Sequence, residues 1–208
     1  MASIFAVVPP AGRKLVVSGD GRYWNDVAIQ KILRLAAGYG VTEVVIGQYG
    51  LLSTPAISHL IRKINEAEPD SCIGAVLLTA SHNPAGPDED FGIKFNAANG
   101  GPAPESVTDA VYEHSKSITE FKSVASLPDI DLAVIAETQY SIGESNFCVQ
   151  VIDNTDAYTA LMKSLFDFEQ IRSLLQRSDF SILFDGMHGV AGPYARRVFV
   201  EELGVDAS

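Results

Sequence analysis

A chain of 208 residues, 47% hydrophobic and 20% charged, is long enough to bury a core of its own and too apolar to stay wholly disordered. No apolar run approaches the roughly 20 residues that span a bilayer, and the patch Ile4 to Val8 lacks the basic residue that precedes a secretory signal, so a cytoplasmic location is expected. A formal net charge of -11 repels phosphate backbones, which argues against nucleic acid as a partner. Cys72 and Cys148 have neither CxxC nor metal-type spacing and read as ordinary thiols.

Lys14 to Ser18 reads as a strand entering the turn Gly19-Asp20-Gly21-Arg22. Asn25 or Asp26 then caps a helix whose Ile29, Ile32, Leu33 and Ala36 share one face, with Gly38 and Gly40 ending it. Val44 to Ile46 is a second buried strand. Ser53-Thr54-Pro55 starts the clearest helix, with Ile57, Leu60, Ile61 and Ile64 on one side. The apolar run Ile73 to Leu78 is a third strand, and strands alternating with helices predict a largely parallel sheet. Phe91 to Asn96 is a fourth strand, with Ile93 and Phe95 facing the core and Lys94 facing away from it.

Glu105 to Ile118 predicts a helix with Val107, Val111 and Ile118 inward, and residues 120–144 a loop with one strand. Phe147 to Ile152 is another strand. Asp153, Asn154 or Thr155 caps a helix that buries Tyr158, Leu161, Met162 and Leu165, and a short helix around Ile171 to Leu175 follows Asp167. The pattern then restarts, with strand Phe180 to Phe184, the glycine-rich turn Asp185 to Gly189, and helix Tyr194 to Leu203 stopped by Gly204. A lone unit of this kind cannot cover both faces of a sheet and is expected to be loosely held.

The polar stretch Thr79-Ala80-Ser81-His82-Asn83-Pro84 leaves the third strand at its carboxyl end, where open α/β sheets bind ligands. Ser81 is a candidate nucleophile beside His82, although a serine in such a turn also serves simply as a turn former. The hydrolase elbow does not fit, because Thr79 and Asn83 stand where its glycines belong. Trp24 likewise occupies the third-glycine position of a dinucleotide fingerprint beginning at Gly19. Lys94 is either a cation for a transferred phosphoryl group or a solvated strand lysine. Asp88-Glu89-Asp90 has no further ligand in register and reads as a solvated turn. His59 and His114 fall on helices and read as structural or surface residues, and nothing in the sequence gives His188 a partner.

At Thr79 to Pro84 the sequence resembles the active-site loop of the α-D-phosphohexomutase family, on its phosphoglucomutase branch. The resemblance extends through Asp90 to Asn96, Asn99 to Glu105, Gly19 to Tyr23, Leu52 to Ala56 and Met187 to Tyr194, and covers nearly all of the chain beyond about residue 13. It implies an α/β fold, a mostly parallel mixed sheet with flanking helices. Residues 1–176 would be the family's first domain, lacking its amino-terminal start, and 177–208 the first βα unit of a second, similar domain.

The activity implied is interconversion of glucose 1-phosphate and glucose 6-phosphate through a phosphoserine and a glucose 1,6-bisphosphate intermediate. By the same resemblance Ser81 carries the phosphoryl group and offers its phosphate to Mg2+. His82 and Lys94 become acid/base or phosphate-positioning groups, and Asn83 shapes the loop. Mg2+ and the activator glucose 1,6-bisphosphate are the implied cofactors. The implied partner is a small-molecule sugar phosphate, with the protein a monomer, no nucleic acid and no membrane span. Parafusin-like members of the family suggest an alternative role as a non-catalytic phosphoprotein with a protein partner. The sequence contains no Asp-Gly-Asp-Gly-Asp-Arg metal loop, Gly-Glu-Glu-Ser sugar loop, Arg-Ser-Gly-Thr phosphate clamp or Gly-Thr-Ser-Gly-Leu-Arg motif, so weak activity of this chain alone is expected.

Overall fold

The computed structural model describes residues 1–206 and builds them around β1 (Lys14–Gly19). β1 lies between β2 (Glu43–Gly47) and β3 (Cys72–Leu78), parallel to both, and β6 (Ser145–Ile152) runs parallel beside β2. Antiparallel strands β4 (Ile93–Ala97) and β5 (Ala136–Ile142) close the edges, giving the order β4-β3-β1-β2-β6-β5. This is the mostly parallel mixed sheet with flanking helices that the sequence implied.

Helix α2 (Asn25–Gly38) leads from β1 to β2, and α3 (Thr54–Ala67) leads back past β1 to β3. Right-handed crossovers running in opposite directions place these helices on opposite faces. Side chains therefore divide by alternation: Leu15, Val17, Val44 and Ile46 pack with Ile29, Ile32 and Leu33, whereas Val16 and Val45 pack with Ile57, Leu60 and Ile61. Burial on both sides is why these strands read as unbroken apolar runs.

One irregularity sets the phase of the functional loop. Lys14 is paired with Cys72 but Val16 with Ala75, so β3 gains a residue at a bulge. Gly74 sits there with φ +133°, and a Cβ on it would lie 2.0 Å from the Asn96 carbonyl oxygen. Beyond the bulge Val76 and Leu78 face α2, and Ala75 and Leu77 face α3.

The other elements depart from expectation in instructive ways. Neither Asn25 nor Asp26 caps α2; Trp24, at φ 71°, precedes it, and the buried Asn25 amide donates to the Gly50 carbonyl instead. α4 (Glu105–Ser115) ends before Ile118 and buries none of its residues fully, because it lies outside the sheet against the short α1 (Ala2–Val7). In α5 (Asp156–Leu165) only Thr159 is fully buried and Leu165 is exposed; the Asp153 carboxylate ties down the Thr155 and Asp156 amides. α6 (Phe168–Leu175) is capped by Asp167. Ile93, expected inward, is half exposed because the α2 layer does not reach the sheet edge.

Phe180 to Phe184 forms no strand: among the described residues no strand pairs with it, and Leu183 is 94% exposed. The helix that follows does form, as α7 (Ala191–Ala195) continuing into a π-helical turn, Arg196–Glu202. It docks on the first unit through buried Tyr194 and Leu203, and Arg197 bridges to Asp156 at 3.1 Å. Lys163 pairs with Glu202, and Arg172 donates to the Glu202 carbonyl at 2.8 Å.

Candidate active site

A cavity of about 770 Å3 opens at the carboxyl ends of β1 and β3, on the α3 side of the sheet. The chain leaves β1 in one direction and returns to β3 from the other, so this is the switch point at which α/β sheets take ligands. Its wall includes Asp20, Arg22, Ser53, Thr79, Ser81, His82 and the turn Gly186 to Val190. A cleft of similar size, about 790 Å3, lies at the opposite strand ends, lined by residues such as Gly12, Thr42, Phe121 and Phe147. It offers no comparable set of reactive side chains.

Two strands deliver the candidate groups Ser81 and Lys94. β3 ends in Thr79, whose amide donates to the Gly92 carbonyl at 2.9 Å, and Ser81 follows two residues later. β4 runs back beside it with Lys94 paired to Leu77, so both project on the α3 side. Lys94 Nζ then donates to Ser81 Oγ at 3.0 Å. A Cβ on Gly92 would meet the Thr79 carbonyl oxygen at 2.3 Å, which accounts for glycine where the two strands part.

The remaining candidates separate clearly. His82 is exposed on the cavity wall, and its imidazole makes no hydrogen bond to another described residue. Asn83 donates to the Asp90 carboxylate at 2.7 Å, a bond between two residues of the same loop. His114 meets Ser3 at 3.2 Å, far from the cavity in the fold, on the α1 side of α4. His188 lies on the cavity wall at φ 59°. Cys72 and Cys148 are free and buried.

Sequence reasoning missed the pair Asp20 and Arg22. Arg22 is buried, with its side chain 3% exposed, and pairs with Asp20 at 2.9 Å. It also donates to the carbonyls of Asp90 at 2.6 Å and Ser81 at 3.3 Å, so it spans the whole serine loop. Burial alone would raise the Asp20 pKa, but hydrogen bonds from Arg22 and Thr79 outweigh it and hold the carboxyl below its usual range. The available signal was an acid and an arginine two residues apart in a glycine turn at a strand's carboxyl end.

Residues 1–122 match the family model described as phosphoglucomutase/phosphomannomutase, alpha/beta/alpha domain I. The chain belongs to this family. It is 54% identical over 197 residues to a cytoplasmic phosphoglucomutase of Populus tremula, covering 95% of this chain and 34% of the relative. A phosphoglucomutase of Emericella nidulans is 49% identical and is matched over 100% of this chain and 36% of its own length. The chain thus spans about a third of the length of the curated relatives it matches. Among solved structures, the exocytosis-sensitive phosphoprotein pp63/parafusin (phosphoglucomutase) from Paramecium superposes with a TM-score of 0.94 at 46% identity, over 99% of this chain and 38% of that one.

Phosphoglucomutases are generally Mg2+-dependent. The described residues do not complete a Mg2+ site: no three acidic, histidine or cysteine side chains gather where they could hold a metal. Asp20 is already spanned by Arg22 and Thr79, and Asp90 is taken by Asn83.

Proposed function

We propose that the chain is the phosphoserine-bearing part of a cytoplasmic phosphoglucomutase, an isomerase of glucose 1-phosphate and glucose 6-phosphate. The observation that carries this reading is the Ser81 hydroxyl held 3.0 Å from the Lys94 ammonium in the loop Thr79 to Pro84. In the proposed cycle the bond from phosphorus to Ser81 Oγ breaks as one forms to the 6-hydroxyl of glucose 1-phosphate. The hydroxyl proton leaves to a base, and charge returns to Oγ beside Lys94. The resulting glucose 1,6-bisphosphate gives its 1-phosphoryl group back to Ser81, leaving glucose 6-phosphate and a reloaded serine. Added glucose 1,6-bisphosphate acts as activator by the same reloading step.

Such transfers need positioning and charge stabilisation more than covalent chemistry. Lys94 supplies a cation at the oxygen that must leave, and His82 is the second candidate for handling the proton or the phosphate. A phosphoserine carries about -1.5 to -2 charges, for which cationic neighbours are suited. The metal and sugar loops are absent from this sequence, so full turnover is expected to need further walls around the cleft. The division near residue 177 between a first unit and the start of a second belongs to the same proposal.

A coupled assay for glucose 6-phosphate, with Mg2+ and glucose 1,6-bisphosphate, tests the reading. Weak turnover that vanishes in Ser81→Ala is expected; robust turnover that survives Ser81→Ala defeats it. The likeness to parafusin favours one second reading, a phosphoprotein that binds a partner without turnover. A stable complex that persists in Ser81→Ala, with sugar phosphate levels unchanged on removal of the protein, supports that alternative.

A further inference from the structure

Ser81 occupies a backbone conformation that serine adopts only under constraint, with φ at 57°. Side chains with a Cβ are disfavoured in the left-handed region, and such residues persist where their surroundings over-determine them. The constraint on Ser81 can be traced atom by atom. Its amide donates to Thr79 Oγ1 at 3.0 Å, and Thr79 Oγ1 donates in turn to Asp20 Oδ2 at 2.6 Å. Asp20 accepts from Arg22 Nε at 3.0 Å and Nη2 at 2.9 Å. Arg22 Nη2 also reaches the Ser81 carbonyl at 3.3 Å, which closes the ring.

Both backbone polar groups of the serine, the amide by way of Thr79, are thus tied to one ion pair in the turn that follows β1. Every hydrogen bond of the Arg22 guanidinium goes either to Asp20 or to a carbonyl of the serine loop, at Ser81, Pro84 and Asp90. None goes to a helix or to another strand. A pair serving only to stabilise the fold would bind such elements; this one binds the loop to the end of β1.

We propose, on the reading of Ser81 as phosphoryl carrier, that Thr79, Asp20 and Arg22 form a positioning ring that keeps Ser81 left-handed and its Oγ against Lys94. If the ring opens, Ser81 relaxes toward the right-handed region and Oγ swings away from the lysine. Phosphoryl transfer depends on aligned oxygens, so the loss falls on the rate of transfer and not on sugar binding. Lysine cannot replace Arg22, because a single ammonium cannot span a carboxylate and three separate carbonyls.

The test uses the full chain and the variants Arg22→Lys, Thr79→Val and Thr79→Ser. Amide hydrogen exchange is followed at Ser81 and, as an internal reference, at Val76 in β3. Transfer from glucose 1,6-bisphosphate to Ser81 is followed by intact mass across bisphosphate concentrations. Arg22→Lys and Thr79→Val are expected to speed Ser81 exchange about ten-fold, the size of one lost charge-assisted hydrogen bond, with Val76 unchanged. Loading of Ser81 should slow by at least that factor, with the half-saturating concentration unmoved, and Thr79→Ser should restore both. Unchanged Ser81 exchange in both disruptive variants, or Ser81 and Val76 accelerating together, overturns the ring. Failure of the unaltered chain to load Ser81 counts against the phosphoryl-carrier reading alone, and the exchange measurement still decides the ring.

Discussion

Two stretches of this chain are alike in sequence and opposite in structure. Ile73 to Leu78 and Phe180 to Phe184 are both apolar runs, and each leads into a polar turn with a histidine that borders the same cavity. The first is a strand with β1 on one side and β4 on the other, buried along its whole length. The second is unpaired and largely exposed, although the helix after it docks through Tyr194. An apolar run is a strand only where neighbours accept its backbone hydrogen bonds; alone, it keeps them in water. Ser81, in the turn after the first, is fixed by partners, whereas the His188 side chain, in the turn after the second, has none among the described residues.

The contrast can be broken or sharpened by substitution. Ser81→Ala should abolish phosphoryl loading outright, whereas His188→Ala should leave loading of Ser81 within about two-fold, read by intact mass; a larger loss would bring the unpaired turn into the chemistry. Leu78→Ala removes a fully buried side chain and should cost about 2–5 kcal/mol of unfolding free energy. Leu183→Ala, at a position 94% exposed, should stay within about 0.5 kcal/mol. Urea denaturation measures both, and equal losses would show that the second stretch is packed after all.

A smaller effect is expected where the two regions touch. Tyr194 OH accepts the Ser53 amide at 3.0 Å, at the cap of α3. Tyr194→Phe leaves that N–H without its partner, at about 1–2 kcal/mol, and should free residues 190–203 to faster hydrogen exchange while Ile73 to Leu78 stays slow.

The acid side of the stability curve gives a finer test. The Asp20 carboxyl is held below its usual range, so its contribution is present in full above that range and lost as pH falls through the folded value. Asp20→Asn should therefore be less stable than the unaltered chain at about pH 7, with the gap narrowing toward about pH 3. A gap that stays constant with pH would detach Asp20 from the ion pair. Thiol chemistry is the mildest probe. Burial, with Glu137 and Glu43 adding to it, pushes the Cys148 thiol up to about 11, so alkylation of the folded chain near neutral pH should be slow and should speed up on unfolding.

How far the sequence could be read depends on how local each signal was. The serine loop, the strand that carries it and α3 with its Ser53 cap were legible because apolar runs, prolines and caps act over a few residues. Lys94 was legible as the residue facing away from Phe95, and register then brought it to Ser81. Arg22 was not, because it lies 59 residues from the serine it holds and meets it only once β3 has been laid beside β1. The Phe180 to Phe184 error has a related origin. Composition states what a segment could bury, and only the fold states whether a neighbour is there. Leu165 and Ile118 failed likewise, since a helical stripe faces inward only where a layer exists to receive it.

Phosphopeptide mapping of the protein isolated from its own cells tests the central claim most directly. Phosphate on Ser81, lost on brief incubation with glucose 1-phosphate and regained with glucose 1,6-bisphosphate, is the expected result. Ser81 unmodified, or bearing a phosphate that neither sugar phosphate exchanges, would contradict it.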